Sequence, residues 1–226
     1  MSKLYSYCII NDHGAAPNPF WSICTLAICK PVIRRTAQVG DWIAATGSAR
    51  HGIENQLVYA MKVSSVLTMK EYDTYCKTSL HKKIPVYKTT DLRLKVGDCI
   101  YDYSTEGEPS LRASVHKEEN RKTDLGGQNV LLSDHFYYFG SKPVPLPTHL
   151  LPIIQQRQGH KSTSNDPYVE PFVEWLADFK RQKNKINAAP LGLDLYIEED
   201  FKNKCSKVDL EEDQSDEILN SNLPID

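Results

Sequence analysis

Residues 24–48 constrain the fold of this chain more than any other stretch. Residues 24–28 are a short apolar run. Lys30, Arg34 and Arg35 then form a cation cluster stiffened by Pro31, and Val39-Gly40-Asp41 turns the chain into a second apolar run ending near Thr46. Two short strands joined by a tight connection are expected from this pattern. Alternate residues of a strand share a face, so Trp42, Ala44 and Thr46 point one way and Ile43 and Ala45 the other. Guanidinium groups beside an exposed aromatic suit a phosphate with a stacked base. A core tryptophan above a solvated arginine loop fits the same residues.

Strand signals recur along the chain. Residues 4–10 and 23–28 are apolar runs separated by a loop rich in Gly, Pro and Asn, and 41–46 and 57–67 follow. A second Val-Gly-Asp turn at 96–98 opens a strand at 99–103, and 129–133 continues through 136–139. Helical periodicity is confined to two places. Thr68 with Glu71 makes a capping box for a helix over 69–80. Asp166 and Pro167 open a long C-terminal helix in which Val169, Phe172, Val173, Leu176 and Phe179 form an apolar stripe, with cations at 180–185 and Pro190 as its stop. This order predicts an α+β domain over 1–190: a curled, mostly antiparallel sheet or a small barrel with flanking helices.

Charge divides the chain. Residues 198–226 hold ten acids and three lysines, against 29 acids and 27 lysines and arginines in all. Residues 1–197 therefore keep 19 acids and 24 cations, a formal +5. The acidic end, 191–226, is expected to be disordered or loosely docked, either solubilising the protein or competing with nucleic acid for a basic face. No apolar run approaches the roughly 18 residues of a membrane span, and the N-terminus lacks the features of a signal peptide. Both point to a cytoplasmic protein without membrane partners. The six cysteines, Cys8, Cys24, Cys29, Cys76, Cys99 and Cys205, include no Cys-x-x-Cys pair. They read as free, mostly buried thiols, and neither a metal nor a cofactor is expected.

Several phrases carry a resemblance: Ala-Pro-Asn-Pro-Phe (16–20), Cys-Lys-Pro-x-Ile-Arg-Arg (29–35), Val-Gly-Asp-Trp-Ile (39–43), Leu-Val-Tyr-Ala-Met-Lys-Val (57–63), Ser-Asp-His-Phe-Tyr-Tyr-Phe-Gly (133–140) and Gln-Gly-His-Lys (158–161). Together, from about residue 3 to about 187, they resemble the nucleotide-modification-associated domain type 2 family. The resemblance implies a link to modification of DNA bases, often in phage-related settings, and carries over no catalytic residues. The strand order is also similar to small PUA-like barrels, a likeness of fold and not of function.

Two functional classes follow. The first is a binding module that recognises a nucleotide or a modified base in nucleic acid. Its basic, aromatic-lined pocket is built from Lys30, Arg34, Arg35, Trp42, Ser48, Arg50, Tyr137, His160 and Lys161. Ser48 and Arg50 come from the small-residue loop 47–52, and His160 and Lys161 from a glycine turn that suits an anion. The second is an enzyme of base or nucleotide modification that uses loop His/Asp combinations as acid and base. Its candidates are Asp12 and His13, Asp134 and His135, and His160, with Asp41 as a further carboxylate. Convergence of two histidines and a carboxylate in one pocket would favour the enzyme; scattered histidines would not. The sequence leaves the oligomeric state open.

Overall fold

The computed structural model describes residues 2–156 and 159–194. Gln158, Cys205 and the acidic end from 195 onwards lie outside the described residues. In chain order the elements are β1 (Leu4–Ile9), β2 (Cys24–Leu26), α1 (Pro31–Thr36), β3 (Trp42–Gly47), β4 (Gln56–Lys62), β5 (Ser65–Thr68), α2 (Met69–Thr78) and α3 (Leu92–Lys95). There follow β6 (Tyr101–Asp102), β7 (Ser110–Leu111), α4 (Arg121–Gly126), β8 (Asn129–Ser133), β9 (His135–Tyr138), β10 (Val144–Pro145), β11 (His160–Lys161) and α5 (Val169–Leu176).

The fold is α+β. Its main sheet runs β10-β4-β3-β1-β11, with β9 also paired to β4; a second runs β2-β8-β5, and β6 and β7 form a ribbon. The main sheet is mixed, because β1 and β3 are parallel while its other pairs are antiparallel. Its path ends at β10 and β11 without closing, so the open sheet of the two expected architectures is present and the closed barrel is not.

Two long expected strands are each broken at one corner. Residues 57–67 divide into β4 and β5, and 129–139 into β8 and β9, so β4–β9 belongs to the main sheet and β5–β8 to the second. Polar side chains hold this corner: Ser64 bonds the Asp134 carboxylate, Asp134 N donates to Ser64 Oγ at 3.1 Å, and Ser133 Oγ donates to His135 O at 2.8 Å. The Ser133 bond is local and competes with the ladder, and the Ser64–Asp134 bonds tie the two strands together where both change sheets.

Three other expectations are corrected or sharpened. The segment after residue 30, read as a connection, forms α1, with Pro31 in its first turn and Arg34 and Arg35 in its last. The capping box of α2 is present, Glu71 N donating to Thr68 Oγ1 at 3.2 Å and Thr68 N to Glu71 Oε2 at 2.8 Å. The long C-terminal helix is only partly formed. Thr163–Tyr168 is 3-10, α5 covers eight residues, and Ala177–Gln182 returns to 3-10 with a break at Phe179 (φ −94°, ψ 28°). Pro167 and Pro171 supply no amide hydrogen, which shortens the regular α segment.

Both faces of the main sheet are covered. Ile43, Ala45, Tyr59 and Met61 pack with Cys24, Leu26, Ile33 and Leu131 on one side. Trp42, Ala44, Ala60 and Tyr137 pack with Leu150, Ile153, Phe172 and Leu176 on the other. A third core under the second sheet joins Ile28, Cys29, Tyr72, Cys76, Cys99, Tyr101 and Val115. Among the described residues, no helix is long and apolar enough to cross a membrane.

A candidate thiol centre

β2 leads into α1 through Cys29 and Lys30, whose φ angles are +56° and +44°. Non-glycine residues reach this left-handed region at a cost of about 1–3 kcal/mol each, and such residues concentrate at functional sites. The sharp turn sets the Cys29 thiol at the head of α1, almost buried at 8% exposed. His116, from the irregular segment after β7, places Nε2 3.6 Å from Cys29 Sγ. The other ring nitrogen, Nδ1, lies 2.7 Å from Asp124 Oδ2 in α4. A carboxylate only accepts hydrogen bonds, so Nδ1 carries a hydrogen, and Nε2 is the ring atom turned to the sulfur. Thiol, imidazole and carboxylate thus stand in the order that nucleophilic catalysis requires.

Asp124 is fully buried and well supported. Its carboxylate also accepts from Tyr101 Oη at 3.0 Å and Cys29 N at 3.3 Å. Burial alone would raise its pKa; the His116 imidazole and the Arg34 guanidinium outweigh that and hold it below the ordinary carboxylate range. Arg34 ties the two ends of the centre together. Its Nε donates to Cys29 O at 2.7 Å, its Nη2 to Asp124 O at 2.6 Å, and its Nη1 to Asn129 O at 3.0 Å. Gly127 makes room for this guanidinium, since a Cβ there would lie 2.3 Å from Arg34 Cζ.

The thiol opens on a narrow cleft of about 20 Å³ lined by Asn11, His13, Ala15, Ala16, Ile28, Val115 and His116. Its floor is polar. Asp12 accepts from Tyr138 Oη at 2.6 Å, and burial raises its pKa to about 6. Tyr7 and Tyr59 share a hydrogen bond of 2.9 Å, and Lys30 Nζ lies 5.1 Å above the Tyr7 ring. Lys30 also acts on His160, whose pKa is lowered to about 4 by burial and then by that charge. His160 packs beside Tyr5, and its buried Nδ1 has no hydrogen-bond partner among the described residues.

The other residues singled out by sequence are dispersed. Arg34 is wholly buried and spent on carbonyls, and Trp42 is 3% exposed, packed edge-on against Phe172 and His135. Tyr137 is buried on the same face. Arg35 is exposed with Nη1 donating to Gly126 O at 2.7 Å. Ser48 caps a 3-10 turn that carries the exposed Arg50, and Lys161 Nζ donates to Pro152 O at 2.6 Å. Among the described residues, Trp42 and Tyr137 are packed into the core and do not meet the arginines, because β3 is central and covered on both faces. Asp41 holds a turn by accepting from Lys3 N and Gln38 N, each at 2.8 Å. Asp134 and His135 separate at the strand corner. Asp134 lines a cavity of about 450 Å³ with Ser64, Glu71 and Tyr75, whereas His135 packs on Trp42, its pKa lowered by burial and then by Lys183 and Lys62.

The centre that does assemble contains Cys29, His116 and Asp124, none of which was a candidate. Cys29 reads as one more apolar cysteine, and its partners lie 87 and 95 residues away in a segment without periodicity. The local signal is the strand–Cys–Lys–Pro junction, a thiol set between a strand and a helix. Among the described residues, no group of three or more His, Cys, Asp or Glu is placed to hold a metal.

Comparison with known proteins gives one family match: the model described as nucleotide modification associated domain 2 covers residues 1–196. No curated protein and no solved structure matches.

Proposed function

The chain belongs to the nucleotide modification associated domain 2 family, and on that premise we propose that it is an enzyme of nucleotide modification whose nucleophile is Cys29. The observation that carries this reading is the alignment of Cys29 Sγ, the His116 imidazole and the Asp124 carboxylate at 3.6 and 2.7 Å. His116 Nε2 takes the thiol proton, and Asp124 orients the ring and stabilises the imidazolium. The sulfur bonds to an electron-poor carbon of the substrate. The electron pair displaced from that carbon moves onto the neighbouring atom, which then receives the proton held by His116. Arg34 is a positioning residue, because it fixes the backbone carbonyls of both Cys29 and Asp124.

The cleft is barely the size of one water molecule, so the reacting carbon is presented at the tip of a slender group. Lys30 and His160 are the two expected ligand residues that fit this reading. Lys30 follows the nucleophile directly and sets its ammonium 5.1 Å above the Tyr7 ring.

Iodoacetamide labelling read by peptide mass mapping tests the assignment. Nucleotides or oligonucleotides bound at this centre should slow Cys29 alkylation while leaving Cys8 unaffected, and Lys30→Gln should weaken the protection. Alkylation of Cys29 at one unchanging rate across nucleotides and oligonucleotides, plain and modified, would contradict it.

A further inference from the structure

Residues 81–95 form a second chemically distinct surface. They contain His81, Lys82, Lys83, Lys88, Arg93 and Lys95, and a single acid, Asp91. Lys83 is not part of the surface but its anchor. Fully buried, its Nζ reaches Asn18 O, Asn18 Oδ1, Ile23 O and Thr25 Oγ1 at 2.8–2.9 Å. Gly97 packs so closely on this turn that a Cβ there would lie 2.5 Å from Lys83 O. Val86 N donates to Leu94 O at 2.9 Å and closes the loop. The segment is therefore a fixed support for the cations it carries.

Two of those cations converge on one ring. Lys82 Nζ lies 4.6 Å and Arg93 Cζ 5.0 Å from the centroid of Trp21, whose Nε1 is buried without a hydrogen-bond partner among the described residues. Asp91 neutralises Arg93 through bonds of 2.9 and 2.7 Å. Lys82, Lys88 and Lys95 make no ion pair among the described residues, and Val86 and Tyr87 beside them are 46% and 36% exposed. Uncompensated ammonium groups gathered on one closed loop suit a chain of phosphates. Three ammonium groups on one loop outnumber the single phosphate of a nucleoside monophosphate, whereas a strand supplies one phosphate for each.

We propose that this face docks the backbone of a nucleic acid, so that the protein works on a polymer rather than a free nucleotide. The proposal rests on the preceding functional reading only for choosing nucleic acid among polyanions, and it is independent of Cys29. The test is fluorescence anisotropy of the full chain with a labelled 20-mer duplex over a salt series, with mononucleotides and phosphatidylserine vesicles as competitors. The wild type should bind the duplex, and the log–log salt slope should fall by about two to three units in the Lys82→Gln, Lys88→Gln, Lys95→Gln triple variant. Asp91→Asn, which frees Arg93, should tighten binding several-fold. Cys29 alkylation should keep its wild-type rate in the triple variant, showing an intact fold and separating this face from the thiol centre. A wild-type slope in the triple variant, mononucleotides competing as well as duplex, or vesicles displacing the duplex equally would each overturn the proposal.

Discussion

At the scale of single residues, the polar groups inside this protein have opposite costs. Asp124 is buried among donors that favour its charge, whereas Asp12 is buried with fewer, and desolvation wins. The folded pKa of Asp12, about 6, lies above its unfolded value near 4. Its contribution to stability is therefore complete below about pH 4 and is lost as pH rises through 6. Asp12→Asn keeps an acceptor for Tyr138 Oη and removes that loss. Urea unfolding at pH 4 and pH 7 should show the variant gaining about 2–3 kcal/mol on the wild type between the two pH values. An equal difference at both would show that Asp12 does not titrate on folding. Arg34 shows where residue-level reading of a sequence misleads. An arginine in a cationic run reads as a phosphate ligand, yet its three carbonyl acceptors come from residues 29, 124 and 129. Contacts over such separations leave no trace in local composition.

Individual elements were legible where a local rule decides them. The capping box of Thr68 and Glu71 starts α2 where expected, and Val39-Gly40-Asp41 opens β3. Breaks imposed by tertiary partners were not legible, because nothing in the runs 57–67 and 129–139 states that their halves belong to different sheets. Helix α1 escaped for the reason that six residues are too few to show periodicity. The role of Trp42 was balanced between core and surface, and the covering of both faces of β3 decides it. Trp42→Ala should cost about 3–5 kcal/mol in chemical denaturation, as loss of a buried aromatic does. A cost below about 1 kcal/mol would mean that the ring is not part of the packing between the sheet and α5.

At the scale of the whole molecule, two cores cover the faces of the mixed main sheet, and a third, beside the second sheet, includes Cys29. The α+β class was readable because strand and turn signals add up along the chain. The centre was not, because it is assembled from segments that share no pattern and touch only when folded. The chain also supplies its own controls. Burial pushes Cys24 up to about 12, and Cys99 is raised by a hydrogen bond with the Cys76 thiol and by burial, so these thiols are inert near neutrality. Cys29 alone among the described cysteines faces an imidazole oriented by a carboxylate. The decisive measurement is the rate of Cys29 alkylation between pH 5 and 10, resolved from the other thiols by peptide mapping, in the wild type and in His116→Ala. The wild type should react fastest at Cys29 and with a midpoint below the free-thiol value of about 8.5. His116→Ala should move that midpoint up to or above 8.5 and slow the reaction near pH 7 at least tenfold. Identical profiles in the two proteins, or a Cys29 no faster than Cys24, would contradict the assignment of Cys29 as an activated nucleophile.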